Sequence, residues 1–325
     1  MFKNLLLFFL CCCSLAAASQ DLEIINSGKA TNLRGIGAFN KTIWVSGSNG
    51  YIGRSSDAGK TWKWQQVPGF EMHDFRDIAV LDENTALVMA IASPAYILKT
   101  VDGGRSWKTV YENRDTAMFL DAMAFAGREK GYVIGDPIQG KIFIARTSDA
   151  GNSWEPLPGP AAVQGEAFFA ASGSNLFIRN RKPLMVSGGS VSRLFDGDNS
   201  VVLPLMQGTA TTGANSIAAQ GSLLMIAGGD FQYPNRRDSV LLVSRNGGKT
   251  FRLPKNAPGG YRSAVAPLNR NTWLTCGLNG VDITTDGGLN WKPVSNQPFN
   301  SIYTDPASKT AFLAGPRGSV ARIRF

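Results

Sequence analysis

Apolar residues in this chain fall in short runs of four to seven, often alternating with polar ones, and no stretch keeps helical spacing for any length. Gly, Asn and Asp clusters separate the runs, as they do between strands joined by tight turns. The runs group into seven units. First strands begin near Arg34, Arg76, Asp121, Glu166, Asn215, Arg262 and Asn300. Second strands fall at 42–46, 85–90, 131–135, 184–188, 223–228, 273–276 and 311–314, and third strands at 51–54, 96–99, 142–146, 191–194, 240–243, 281–284 and 319–322. The seventh unit stops at Phe325 after three strands, while Leu22-Glu23-Ile24-Ile25 is a strand with no unit of its own. The pattern predicts an all-β fold, a seven-bladed β-propeller. Its N-terminal strand completes the last blade and removes an open sheet edge.

A short stretch marks the hairpin between third and fourth strands. It reads SSDAGKTW at 55–62, TVDGGRSW at 100–107, TSDAGNSW at 147–154, SRNGGKTF at 244–251 and TTDGGLNW at 284–291. The Asp or Asn side chain can bond N–H groups of its own turn, and the Gly supplies a positive φ at no steric cost. The closing aromatic starts a strand and brings a large surface to pack, so Trp62, Trp107, Trp154 and Trp291 are expected to be largely buried between blades. The Asp/Asn positions 57, 102, 149, 246 and 286 are separated by 45, 47, 97 and 40 residues. The long step spans two repeats and places a worn copy at Phe195-Asp196-Gly197-Asp198. A strand repeat of this length is that of propeller blades.

Residues 1–18 read as a signal peptide: Lys3, an apolar stretch from Leu5 to Leu10, and a cleavage site at Ala16-Ala17-Ala18. The rest, 19–325, is a single domain, expected to be periplasmic or secreted after cleavage near Ala18, monomeric and without a stable membrane span. Only Cys276 survives cleavage, and His73 is the one His. A disulfide scaffold, a Cys- or His-based metal site and a Ser-His-Asp triad are therefore unsupported, and no cofactor is implied. The chain has 33 basic and 24 acidic residues, so acidic or anionic partners are favoured. No basic run or basic helix points to nucleic acid.

The turn stretches resemble the Asp-box, or bacterial neuraminidase repeat, which in its families is structural. The chain resembles the photosystem II stability and assembly factor family of exported seven-bladed Asp-box propellers. The residues carrying this are the repeat at 96–107, Leu33-Arg34-Gly35-Ile36 and Phe75-Arg76-Asp77-Ile78. It is more distantly similar to the sialidases, whose aromatic-Arg-Ile-Pro signature opens a carboxylate-binding Arg triad. Here Asn32-Leu33-Arg34-Gly35-Ile36 keeps the Arg and lacks the Pro, and sialidases have six blades.

First-strand starts and second-to-third-strand loops share one face, the mouth of the central channel. The candidate ligand residues are Arg34, Arg76 and Arg262, with Asn215, Asp136, Asp230 and Tyr233. Three Arg could grip a carboxylate, sulfate or phosphate. Asp77, Asp121 and Glu166 would form an acidic side opposite them; with Tyr261 they are the weak candidates for glycosidase chemistry. Arg54, Lys99, Arg146, Arg193 and Arg322 recur at one place per blade, as structural stems or a docking strip. Two functions compete. One is a non-enzymatic, assembly-factor-like protein that binds a protein partner or anionic ligand of the cell envelope. The other is a sialidase-type hydrolase of an anionic glycan.

Overall fold

The computed structural model describes residues 22–325, so the signal peptide read at 1–18 lies outside the described residues. Each Asp-box closes on its own hydrogen bonds. Asp57 accepts the Thr61 N–H at 2.9 Å and the Thr61 hydroxyl at 2.6 Å. The Ser55 hydroxyl donates to Asp57 at 2.8 Å and accepts the Gly59 N–H at 2.8 Å. Equivalent bonds recur in the boxes at Asp102, Asp149, Asn246 and Asp286. The last Gly of each box has a second duty. A Cβ on Gly151 (φ +75°) would lie 2.4 Å from Leu87 of the preceding blade, and one on Gly288 (φ +89°) 2.6 Å from Met225. The box thus shapes its hairpin and also sets how closely two blades approach.

These hairpins build seven antiparallel sheets around an axis, the predicted propeller. Blade 1 is Leu33–Phe39, Thr42–Gly47, Tyr51–Ser55 and Lys63–Gln66, ordered outward from the axis. Blades 2, 3 and 6 repeat this order. Blade 7 comprises Ser301–Asp305, Thr310–Ala314 and Val320–Arg324, and Glu23–Asn26 supplies its fourth strand. Glu23 faces Arg322 in that pairing and forms an ion pair with it at 2.7 Å. The ring closes as expected. Apolar clusters lie mainly between blades: Leu87, Met89 and Ile97 of blade 2 pack with Leu120, Met123 and Val133 of blade 3. Burial of facing sheet surfaces supplies the main favourable free energy.

Four details differ from the sequence reading. The inner strand of blade 4 is Leu176–Arg179, and Glu166 sits instead on a two-residue strand paired with Gly188–Gly189. The turn at 197–198 is a plain tight turn without the box, and nothing lies within 4 Å of a Cβ built on Gly197. In blade 5 the fourth strand shrinks to one bridge, Val243 with Arg252; Pro254, two residues on, has no N–H to extend the ladder. Finally, Trp291 is buried, but Trp62, Trp107 and Trp154 are only half-buried. They open the outermost strands, so each packs on one side, Trp107 edge-on to Trp44 of blade 1 at 6.2 Å between ring centroids. The basic series is engaged within the fold. Arg54 lies over Trp44, Lys99 donates to the Ala150 carbonyl at 2.8 Å, and Arg146, Arg193 and Arg322 pair with Glu155, Glu166 and Glu23.

Two outcomes follow from the boxes. Gly151→Ala combines a positive φ with a clash on Leu87 and should cost roughly 2–4 kcal/mol, whereas Gly197→Ala meets only the backbone cost of about 1 kcal/mol; urea unfolding of both variants measures the gap. The second concerns acid. Side-chain hydrogen bonds from Thr61 and Ser153 lower the Asp57 and Asp149 pKa values from 3.8 to about 2. A lowered folded pKa contributes stability that is present above 3.8 and lost as pH falls toward 2. After correction for intrinsic rates, amide exchange at Thr61 and Ser153 should accelerate below pH about 4. Exchange at Thr250, held by the non-titrating Asn246, should not.

Candidate functional site

In blades 1, 2, 3 and 5 the pairing of first and second strands slips by one residue, at Arg34, Arg76, Asp121 and Asn215. A bulge there re-aims a side chain out of the sheet. Four residues, scattered over 182 positions from 34 to 215, thereby meet at one end of the channel. A cavity of about 370 Å³ lies there. Arg34, Arg76, Asp136, Asn215 and Tyr261 form its polar wall, and Phe119, Phe168, Phe169, Phe231 and Leu278 its apolar wall.

The polar wall is crowded with charge. Arg34 donates to the Ala171 carbonyl at 3.2 Å. Burial pushes its pKa down, and the neighbouring Arg76 charge pushes the same way. Arg76 donates to Asp74 at 2.8 Å and lies 6.0 Å from the Phe119 ring centroid. The buried Tyr261 hydroxyl donates to Asn215 Oδ1 at 2.9 Å, and burial raises its pKa, so it stays a neutral phenol. Asp136 accepts the Phe168 N–H at 2.8 Å and is raised by burial. Asp121 is fully buried, and neither carboxylate oxygen has a partner among the described residues. Burial first, then the adjacent Asp136, push its pKa well above the ordinary value. Two guanidinium groups beside an aromatic wall can hold an anionic group with an apolar body attached.

Several predicted site residues are elsewhere. Arg262 is the main correction. It is 2% exposed and turned into blade 6, where its Nε donates to Asp282 at 2.7 Å and its Nη1 to the Tyr261 carbonyl at 2.7 Å. The first regular pair of that blade is Ala264 with Cys276, so the residue matching Arg34 is Ser263. A one-residue offset in a strand turns a side chain to the other face. Asp230 is buried against Arg236 and the Gln232 N–H, and Tyr233, 59% exposed, lies outside the cavity. Asp77 points into the seam between blades 2 and 3. It accepts the Met123 N–H at 2.7 Å, and burial raises its pKa to about 7. Glu166 pairs with Arg193 and the Ser187 hydroxyl. The expected acidic side therefore reduces to Asp121 and Asp136. Sequence reasoning missed the aromatic wall. Its signal was the run Phe168-Phe169-Ala170-Ala171, apolar without alternation, which is a crossing segment rather than a strand. Among the described residues no three His, Cys, Asp or Glu side chains cluster as a metal ion requires.

The comparisons agree with the resemblance read from the repeats. Residues 63–171 match the family described as Photosynthesis system II assembly factor YCF48. The chain is 30% identical over 127 residues to the photosystem II stability/assembly factor HCF136, chloroplastic, of Oryza sativa subsp. japonica; that stretch covers 36% of this chain and 29% of the rice protein. Similar solved structures include YCF48 from Cyanidioschyzon merolae, at TM-score 0.70 and 14% identity over 94% of this chain and 99% of the other. YCF48 bound to D1 peptide follows, at TM-score 0.66 and 17% identity over 94% and 97%. The Neurospora crassa Pan2 WD40 domain, at TM-score 0.62 and 14% identity over 94% and 96%, shows how general the propeller architecture is. The chain is similar to photosystem II assembly factors and shares their propeller fold.

Asp121 gives a test of the site's internal strain. An acid with a raised folded pKa costs no stability below 3.8 and an increasing amount as pH rises above it. Asp121→Asn should therefore melt at a higher temperature than the parent at pH 7, with the gap closing near pH 4. A gap that does not change with pH would show that the carboxylate is accommodated.

Proposed function

We propose that this chain is a non-enzymatic, assembly-factor-like binding protein. It holds an anionic group of a protein partner at the channel mouth, between Arg34 and Arg76, with the attached apolar part against Phe119, Phe169 and Phe231. The observation that carries the reading is the convergence of two bulge-aimed Arg on one cavity with an aromatic wall. The likeness to assembly factors, one of them a YCF48 bound to a D1 peptide, supports a polypeptide as the ligand. The signal peptide read from the sequence at 1–18 supports a periplasmic or secreted location.

The alternative, a sialidase-type hydrolase, needs a third Arg and an activated nucleophile. Arg262 is committed to Asp282, and the Tyr261 hydroxyl bonds Asn215 rather than a carboxylate. Both favour binding over turnover.

Fluorescence anisotropy with a labelled D1 peptide, and with a version whose carboxylates are amidated, tests the proposal. A charge-assisted hydrogen bond contributes about 1.5–3 kcal/mol, so Arg34→Ala with Arg76→Ala should weaken binding at least ~10-fold. The Lys variants should recover part of the loss, since Lys lacks the planar fork. Unchanged affinity in a folded double variant would overturn the reading. So would release of a fluorogenic sialoside aglycone that Tyr261→Phe abolishes.

A further inference from the structure

The box hairpins lie at the opposite end of the blades from the mouth, and a crevice opens beside several of them where one blade meets the next. Three of these crevices can be compared. The one between blades 1 and 2 is lined by Arg54, Lys63, Arg105 and Asp102; the Asp102 oxygens are taken within its own box, while Arg54 lies over Trp44 and donates to the Glu83 carbonyl at 3.1 Å. The one between blades 3 and 4 contains Arg146, which is paired with Glu155. In both, the fold itself engages the central Arg, by a ring and a carbonyl in the first and by an acid in the second.

The crevice between blades 5 and 6 differs. Its volume is about 460 Å³, and its charged lining is Arg245 and Arg252 with no acid. Arg245 donates only to backbone carbonyls, those of Asp286 at 3.3 Å and Gly287 at 3.1 Å. The Arg252 side chain has no hydrogen-bond or ion-pair partner among the described residues. The nearby Asp286 is no counter-ion, because its oxygens are taken by Thr284, the Leu289 and Asn290 N–H groups and the Asn290 amide. Exposed Lys249 and Lys255 flank the same segment. Between the charges lie two leucines that are unusually open, Leu253 at 52% and Leu289 at 48% exposed. The crevice has room because the fourth strand of blade 5 stops after one bridge and Pro254 sends the chain across to blade 6, where Asn256 pairs with Asn290.

We propose that this crevice is a second docking site, independent of the mouth. Its occupant is an extended segment of a protein partner carrying an acidic side chain beside an apolar one. The carboxylate would sit between Arg245 and Arg252, and the apolar side chain against Leu253 and Leu289. Charge complementarity selects the acid, and uncovered leucines in a concave site select the apolar neighbour. A flat bilayer surface would meet the flanking lysines but would not reach into a cleft between blades.

A fluorescein-labelled ten-residue peptide of alternating Glu and Leu is the probe, with Glu-Ser and Lys-Leu peptides of equal length as controls. Anisotropy with the full mature chain should show binding of the Glu-Leu peptide alone. Arg245→Glu with Arg252→Glu should weaken it at least ~10-fold, as should Leu253→Ser with Leu289→Ser, since all four side chains are exposed and removable without unfolding. Arg34→Ala with Arg76→Ala should leave it unchanged, which separates this site from the mouth. The proposal is overturned if no Glu-Leu binding occurs, if Glu-Ser binds equally, or if the charge reversals change nothing. It is also overturned if phosphatidylglycerol vesicles, but not peptide, bind through Arg245 and Arg252.

Discussion

The fold depends on a belt of buried polar contacts that ties neighbouring inner strands together at five of the seven blade junctions around the axis. Asp77 of blade 2 accepts the Met123 N–H of blade 3. Ser174 of blade 4 donates to Ser216 of blade 5, and Ser216 accepts the Val265 N–H of blade 6. The Ser263 hydroxyl donates to the Asn300 carbonyl of blade 7, and the Asn300 amide reaches Leu33 of blade 1 at 2.8 Å. Apolar burial between blades is plentiful but non-directional. The belt is directional, and each of its members is costly to leave unpaired in a dry interior. It therefore fixes the rotation of one blade against its neighbour.

The mouth follows from that fixed rotation. Because the inner strands start at one level, the bulges that follow deliver Arg34, Arg76, Asp121 and Asn215 to a common end of the channel. Local rules are relaxed there. Burial and the neighbouring Arg76 charge lower the Arg34 pKa, and a buried carboxyl, that of Asp121, goes unpaired. In the boxes, by contrast, every Asp oxygen finds a donor. A pair of neighbouring guanidinium groups beside a buried, unpaired carboxyl is where a binding role is most economically placed.

The box end shows the same contrast on a smaller scale. Beside the complete fourth strands of blades 1 and 3 the crevices have their central Arg engaged by the fold, Arg54 on Trp44 and Arg146 on Glu155. Where Pro254 cuts the strand short, two Arg and two Leu are left without cover. A single residue without an N–H thus converts a structural seam into an accessible surface.

The sequence by itself determined the blade count, the closing strand and the box turns. Those features are periodic, and their physics is local: a Ser/Thr, an Asp and a Gly within five residues make the same bonds wherever they occur. It also named Arg34, Arg76, Asp136 and Asn215 as candidates for the mouth, since strand starts and loops could be counted. It misplaced the start of blade 6 by one position, at Arg262, and that of blade 4 by ten, at Glu166 rather than Leu176. The box and its aromatic are missing from blade 4, and nothing local told Ser263 from Arg262 as the start of blade 6. Only the tertiary structure decided which strand-start residue faces the axis and which faces the seam. That choice is made by one-residue bulges, set by pairing with distant strands. The aromatic wall was hidden for the same reason. Phe119, Phe169 and Phe231 come from three blades, and ring closure alone makes them one surface.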